Sequence, residues 1–286
     1  MIRALFACAI GLALLGAGWP SPGPGSVADH SGGGGGGGVT FETDISDDFE
    51  VDSSADWTPR RDTYTAGGMM TIDDANDGQL KLDTTVPPTV QNGIALFDGS
   101  GAPTTRDLWA IVEYTQSTSY FGIGLRHAAT YSGTLYNYAV RIENTDSIVI
   151  RNCEADATCS TIDSAHSLSD GGGQAADGDY IAAMIAGEDT GNTLEICAWY
   201  FRAASPPSTP SDPTTWGDAD FCVTDNSSIS ILAAYTDCGT GTVCSPSVNM
   251  APKGEAAAGQ VGLSIYGGSA ASYKFESFYG GDITGL

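Results

Sequence analysis

From Val39 onward, apolar residues recur at every second position in short runs. The runs are bounded by Gly, Asn, Asp and Ser, and no segment carries helical spacing over a helix length. A period of two sends successive side chains to opposite faces of a strand. The clearest case is Gly259-Gln260-Val261-Gly262-Leu263-Ser264-Ile265-Tyr266-Gly267-Gly268 followed by Ser272-Tyr273-Lys274-Phe275-Glu276-Ser277-Phe278. It reads as two strands joined by a small-residue turn. Further strands are predicted at Met69–Ile72, Gln79–Leu82, Ile94–Phe97, Trp109–Tyr114, Tyr120–Arg126, Leu135–Glu143, Ser147–Arg151, Asp179–Gly187, Leu194–Arg202 and Asp218–Val223. Asn76-Asp77-Gly78 is a hairpin signal between the first two. Short strands at regular intervals predict an all-β, two-sheet antiparallel sandwich. The opening run Thr40–Glu50 and the closing strands are expected to meet.

The start of the chain reads as an export signal. Arg3 precedes an apolar run, Ala4–Ala17, too short to span a bilayer, and Ser26-Val27-Ala28 fits a cleavage site. The expected organisation is a signal peptide at 1–28, a glycine-rich linker at 29–38 and one domain at 39–286. The product is expected to be secreted or held at the cell surface, with no membrane span in the mature chain. Its 11 Lys+Arg against 35 Asp+Glu give a net charge of −24. Such a surface repels phosphate backbones and anionic lipids, which argues against a nucleic-acid partner.

Six of the seven cysteines follow the signal. An even number in an exported chain implies disulfides, although six cysteines admit about 15 pairings. Spacing favours Cys153 with Cys159 and Cys238 with Cys244 across short polar loops, and Cys197 with Cys222 across neighbouring strands. A zinc site is disfavoured, because CxxC spacing is lacking and His30, His127 and His166 are scattered.

Several segments together resemble a known family. They are Asp47-Asp48-Phe49-Glu50 with Asp56-Trp57, Leu135–Ile142, Asp179-Tyr180-Ile181 leading to Leu194–Tyr200, and Gly259–Leu263 running into Phe275–Phe278. The pattern is similar to the concanavalin A-like lectin/glucanase jelly rolls in their laminin-G-like form. The resemblance implies a concave sheet whose face or rim carries carbohydrate, sometimes beside a structural calcium ion. Asp47, Asp48 and Asp282 are the placeable calcium ligands. The superfamily hosts lectins, adhesion modules, hydrolases and lyases, so fold does not settle function.

No catalytic constellation stands out. Glu42-Thr43-Asp44-Ile45-Ser46-Asp47 approximates the carboxylate strand of glycoside hydrolases of this fold, but it ends in Asp and lies in the first strand. Nucleophile-elbow and phosphate-loop motifs are missing. Sugars are held by aromatic platforms and bidentate polar groups. Tyr120, Arg126, Asn137, Arg141 and Glu143 are expected to form one stripe across neighbouring strands, with Trp199 nearby. The alternative is that these arginines pair with local carboxylates. The expected function is non-catalytic recognition of a glycan or another extracellular surface component. A polysaccharide-acting enzyme and a purely structural or adhesive protein are the competing classes.

Overall fold

A computed structural model gives the architecture. It describes residues 39–51, 53–61, 70–73, 79–83, 92–97, 99–103, 107–116, 120–126, 137–144, 146–153, 159–162, 164–168, 173–187, 194–224, 261–266 and 272–285. The expected signal and linker, and the Cys238–Cys244 pair, lie outside these residues.

The strands are β1 Thr40–Phe41, β2 Ile45–Asp47, β3 Trp57–Arg61, β4 Met70–Asp73, β5 Gln79–Asp83, β6 Asn92–Phe97, β7 Leu108–Gln116, β8 Phe121–Leu125 and β9 Asn137–Glu143. They continue with β10 Ser147–Cys153, β11 Cys159–Thr161, β12 His166–Ser167, β13 Asp179–Ala186, β14 Glu195–Phe201, β15 Phe221–Thr224, β16 Val261–Tyr266 and β17 Ser272–Thr284. All pairings among them are antiparallel. One sheet of nine strands runs β15-β14-β13-β7-β17-β5-β4, with β1 and β2 also on β17. The other, of eight, runs β11-β10-β9-β8-β16-β6-β3, with β12 on β10. The expected two-sheet sandwich is the fold observed. The two ends of the domain meet, Thr40 opposite Thr284 and Asp47 opposite Phe278.

Alternation explains the core. Leu108, Ala110, Val112 and Tyr114 of β7 face Phe121, Ile123 and Leu125 of β8 and Tyr138, Val140 and Ile142 of β9, all fully buried. At one end Trp57 packs edge-on against Phe97 and Phe278, with Phe49 tilted beside it. The indole Nε1 donates to Asp47 Oδ2 at 2.7 Å, so the tryptophan is buried with its polar handle satisfied.

Both faces of β14 carry apolar side chains, and the fold gives the reason. Ile196 and Ala198 enter the inter-sheet core. Cys197 and Trp199 lie on the outer face, in a second apolar cluster with Trp109, Ile111, Ala182, Met184, Trp216 and Ile283. A strap between β14 and β15 brings Trp216 over that face, so both sides of the strand are covered. Tyr120 and Arg126, expected inside a strand, instead have φ of 68° and 52° and bound β8 on either side.

The expected Cys197–Cys222 disulfide is present, joining β14 to β15. Cys153 and Cys159 are direct partners in the β10–β11 register. Paired antiparallel residues have Cα atoms about 4.5–5.5 Å apart, within disulfide reach. Non-reducing peptide mapping is expected to recover a Cys153–Cys159 linked peptide, and any other partner for Cys153 refutes the assignment. Phe278→Ala is expected to lower unfolding free energy by about 3–5 kcal/mol in a denaturant titration.

Candidate functional site

The structure divides the expected binding stripe. Arg141 does project from the outer face of the eight-stranded sheet, where Gly122 of β8 separates it from Ser264 of β16. With no side chain at Gly122, the guanidinium crosses the strand and Nε donates to Ser264 Oγ at 3.0 Å. Arg141 is buried. Glu143 is taken by Arg151 through two bonds, at 2.8 and 2.6 Å. Arg126 has no exposed surface and joins Asp107 Oδ1 at 3.0 Å and the Gly187 carbonyl at 2.9 Å. Tyr120 donates to Asn144 Oδ1. Asn137 opens β9 opposite Cys153. Trp199 is not beside this group at all: it belongs to the other sheet, packed against Trp216. The arginine–carboxylate alternative therefore describes Arg126, paired with Asp107, and Arg151, paired with Glu143.

The expected calcium ligands also separate. Asp47 spends Oδ1 on the Phe49 N–H and Oδ2 on Trp57. Asp282 lies four positions along β17 from Phe278, the partner of Asp47, or roughly 13 Å away along the strand. Asp48 is exposed and accepts from the Glu50 N–H. The three do not share one coordination shell. Among the described residues, Glu195, Cys197 and Cys222 do come within metal-ligand range of one another. The two sulfurs of that group are joined in the disulfide.

A different site emerges on the outer face of the nine-stranded sheet. An open cleft of about 390 Å³ is lined by Asp48, Glu50, Glu113, Thr115, Tyr180, Pro210, Glu276, Ser277 and Tyr279. Glu113 reaches it by the alternation of β7, opposite in phase to Val112 and Tyr114. Tyr180 is its cross-strand partner on β13 and donates to Glu113 Oε2 at 2.6 Å. An irregularity in β17 supplies the rest. Phe275 pairs with Tyr114 and Ser277 with Glu113, leaving Glu276 as an extra residue between them. Such a bulge re-aims side chains. Here it returns Phe278 to the core while Glu276 and Ser277 both line the cleft. Gln79 holds Glu276 through Nε2 at 2.5 Å and also donates to Thr115 Oγ1.

The electrostatics are one-sided. Four carboxylates line the cleft and, among the described residues, no lysine or arginine does. Burial and the Glu113 hydrogen bond push the Tyr180 hydroxyl well above its ordinary value. Burial, then the charges of Asp48 and Glu113, raise Tyr279. Both tyrosines stay neutral donors, and the carboxylates are acceptors. The arrangement suits a ligand rich in hydroxyl donors with an apolar face to lay against a tyrosine ring.

One wall is the strap. Pro210 lines the cleft, and the Pro210 carbonyl accepts from Trp216 Nε1 at 3.2 Å. Trp216 itself packs edge-on against Trp109 and Trp199. Sequence reasoning missed this cleft. Glu113 was legible as the polar member of the outer face of its strand. The bulge at Glu276 and the strap leave no period-two signature.

No family model matches the chain, and no curated protein matches it. Among solved structures it is similar to an inactivated mutant of beta-agarase B in complex with agaro-octaose, at 9% identity and TM-score 0.47, over 86% of this chain and 95% of that one. It is also similar to a mutant of the GH43 protein BlXynB from Bacillus licheniformis, at 15% identity and TM-score 0.44. That match covers 84% of this chain, which spans 40% of the length of the other. Lectin UEA-II complexed with galactose aligns at 14% identity and TM-score 0.39, over 84% of this chain and 98% of the lectin. All three likenesses lie below a TM-score of 0.5 and assign this chain to no family.

Asp44, rather than Asp47 or Asp48, faces Asp282: its Oδ2 accepts from the Asp282 N–H at 2.8 Å. Burial raises the Asp44 carboxyl; the Asp282 N–H opposes this, and the charges of Asp282 and Glu42 add to it. A carboxyl raised in the folded state favours folding most below its unfolded value, about pH 4, and that contribution is lost as pH rises through the folded value. Asp44→Asn keeps an acceptor and removes the charge. It is expected to raise the melting temperature at pH 7, with the gain over wild type shrinking toward pH 3.

Proposed function

We propose that the chain is an exported, non-catalytic recognition module that holds a neutral glycan in the cleft over β7, β13 and β17. The observation that carries this reading is the Tyr180–Glu113 pair, with Tyr279 alongside, in an open cleft whose described lining offers acceptors and ring faces but no cation. Vicinal hydroxyls donate to the carboxylates, and the apolar face of a sugar ring packs on a tyrosine. A net charge of −24 disfavours polyanionic glycans and leaves neutral ones as the fitting class. The apolar N-terminal run and the disulfide agree with an exported protein.

A second reading draws on the same residues. Glu113 and Glu276 both line the cleft from paired strands, and a glycoside hydrolase works with two carboxylates flanking the scissile bond. Incubation of array hits with the protein separates the two: released shorter saccharides, abolished by Glu113→Gln, mark an enzyme.

A glycan array followed by calorimetry tests the site. Tyr180→Ala and Glu113→Gln are each expected to weaken binding about tenfold, the loss of one stacking contact or one charge-assisted hydrogen bond. Unchanged affinity in both, with binding lost in Arg141→Ala, would move the site to the eight-stranded sheet.

A further inference from the structure

The cleft has one wall that belongs to neither sheet. The strap from Arg202 to Asp220 crosses the outer face, and its two ends are held by different means. At its start, Arg202 is clamped by the Asp179 carboxylate and by the carbonyls of Leu168, Gly173 and Gln174. At its far end, the chain enters β15, a strand of four residues whose partner among the described residues is β14. There the Cys197–Cys222 bond is the covalent hold. Between the ends, the strap is fastened by Trp216 against Trp109 and Trp199, by Trp199 Nε1 to the Gly217 carbonyl at 3.2 Å, and by Thr43 Oγ1 to the Ser211 carbonyl at 3.0 Å.

We propose that this disulfide is a redox gate on the cleft. Oxidised, it keeps β15 paired, Trp216 seated and Pro210 in the wall; reduced, the strap opens from its β15 end while the inter-sheet core persists. Cys197 is buried in the outer-face cluster and Cys222 is partly exposed, so a small thiol reaches the bond from the Cys222 side. The step is a thiol–disulfide exchange with a low-molecular-weight dithiol. One reagent thiolate attacks the Cys222 sulfur, breaking the S–S bond and releasing Cys197 as a thiolate, which takes a proton. The second reagent thiol displaces Cys222 from the mixed disulfide. The protein gains two electrons and two protons, and the reagent leaves as its own disulfide. The gate rests on the cleft being the ligand site, but its opening is measured without any ligand.

Hydrogen exchange by mass spectrometry on a Cys197→Ser/Cys222→Ser variant tests it, with folded wild type briefly treated with dithiothreitol as a second measurement. In the closed strap the amides of Ser205, Asp212, Thr215, Trp216 and Asp220 are hydrogen-bonded to backbone carbonyls. The expected result is exchange on the order of 10- to 100-fold faster across the strap, with β7 amides unchanged, and glycan affinity lower by about tenfold. Strap exchange at the wild-type rate overturns the gate. So does simultaneous loss of protection in the strap and β7, which would make the bond a staple of the whole fold. A glycan array showing that oxidised wild type binds nothing would refute the ligand reading alone, leaving the exchange result to judge the gate.

Discussion

The pairing of β17 with β7 carries the architecture. β17 is thirteen residues long and lies in the interior of its sheet, flanked by β7 and β5 and also bonded to β1 and β2. Its Phe275 and Phe278 enter the inter-sheet core, and Phe278 completes the aromatic group around Trp57. Its irregularity at Glu276 decides which side chains reach the cleft. The last strand of the domain thus sets the registry of the first strands, the packing of the core and the composition of the candidate site.

The core was largely legible in the sequence because burial on one face imposes a period of two. Phe121, Ile123 and Leu125, and Tyr138, Val140 and Ile142, were readable as inward sets, and they are inward. The Cys197–Cys222 pairing was legible because two strands bracket a Pro-rich connection. The site was less so. Arg126 and Arg141 stood out as rare cations in strands, yet rarity in a sequence does not reveal exposure. Arg126 is consumed by Asp107, and Arg141 lies down over a glycine onto Ser264. Asp47 looked like a metal ligand and is a partner for an indole. Trp57, Asp107 and Ser264 lie outside the strands of the residues they partner, 10, 19 and 123 positions along the chain, and residue spacing does not reveal such pairings.

Trp199 illustrates the opposite failure. Its strand is apolar on both faces because the strap lays Trp216 over the side that would otherwise meet water. The nine-stranded sheet is therefore covered by the opposing sheet on one face and partly by the strap on the other. The cleft occupies the part of that outer face beyond the strap, where Glu113, Tyr180 and Tyr279 replace tryptophans. Covered and uncovered regions of one sheet face differ in composition, and the boundary between them falls at Pro210.

The interior position of β17 has a consequence for how the domain comes into being. Until Ser272–Thr284 is available, β5 and β7 present two facing rows of unpaired N–H and C=O groups, the kind of edge that recruits strands from other molecules. β1, β2, β5 and β7 all wait on residues far along the chain, whereas β4 pairs locally with β5 and β14 with β13 and β15, so closure of the sheet is the non-local step and slow to begin.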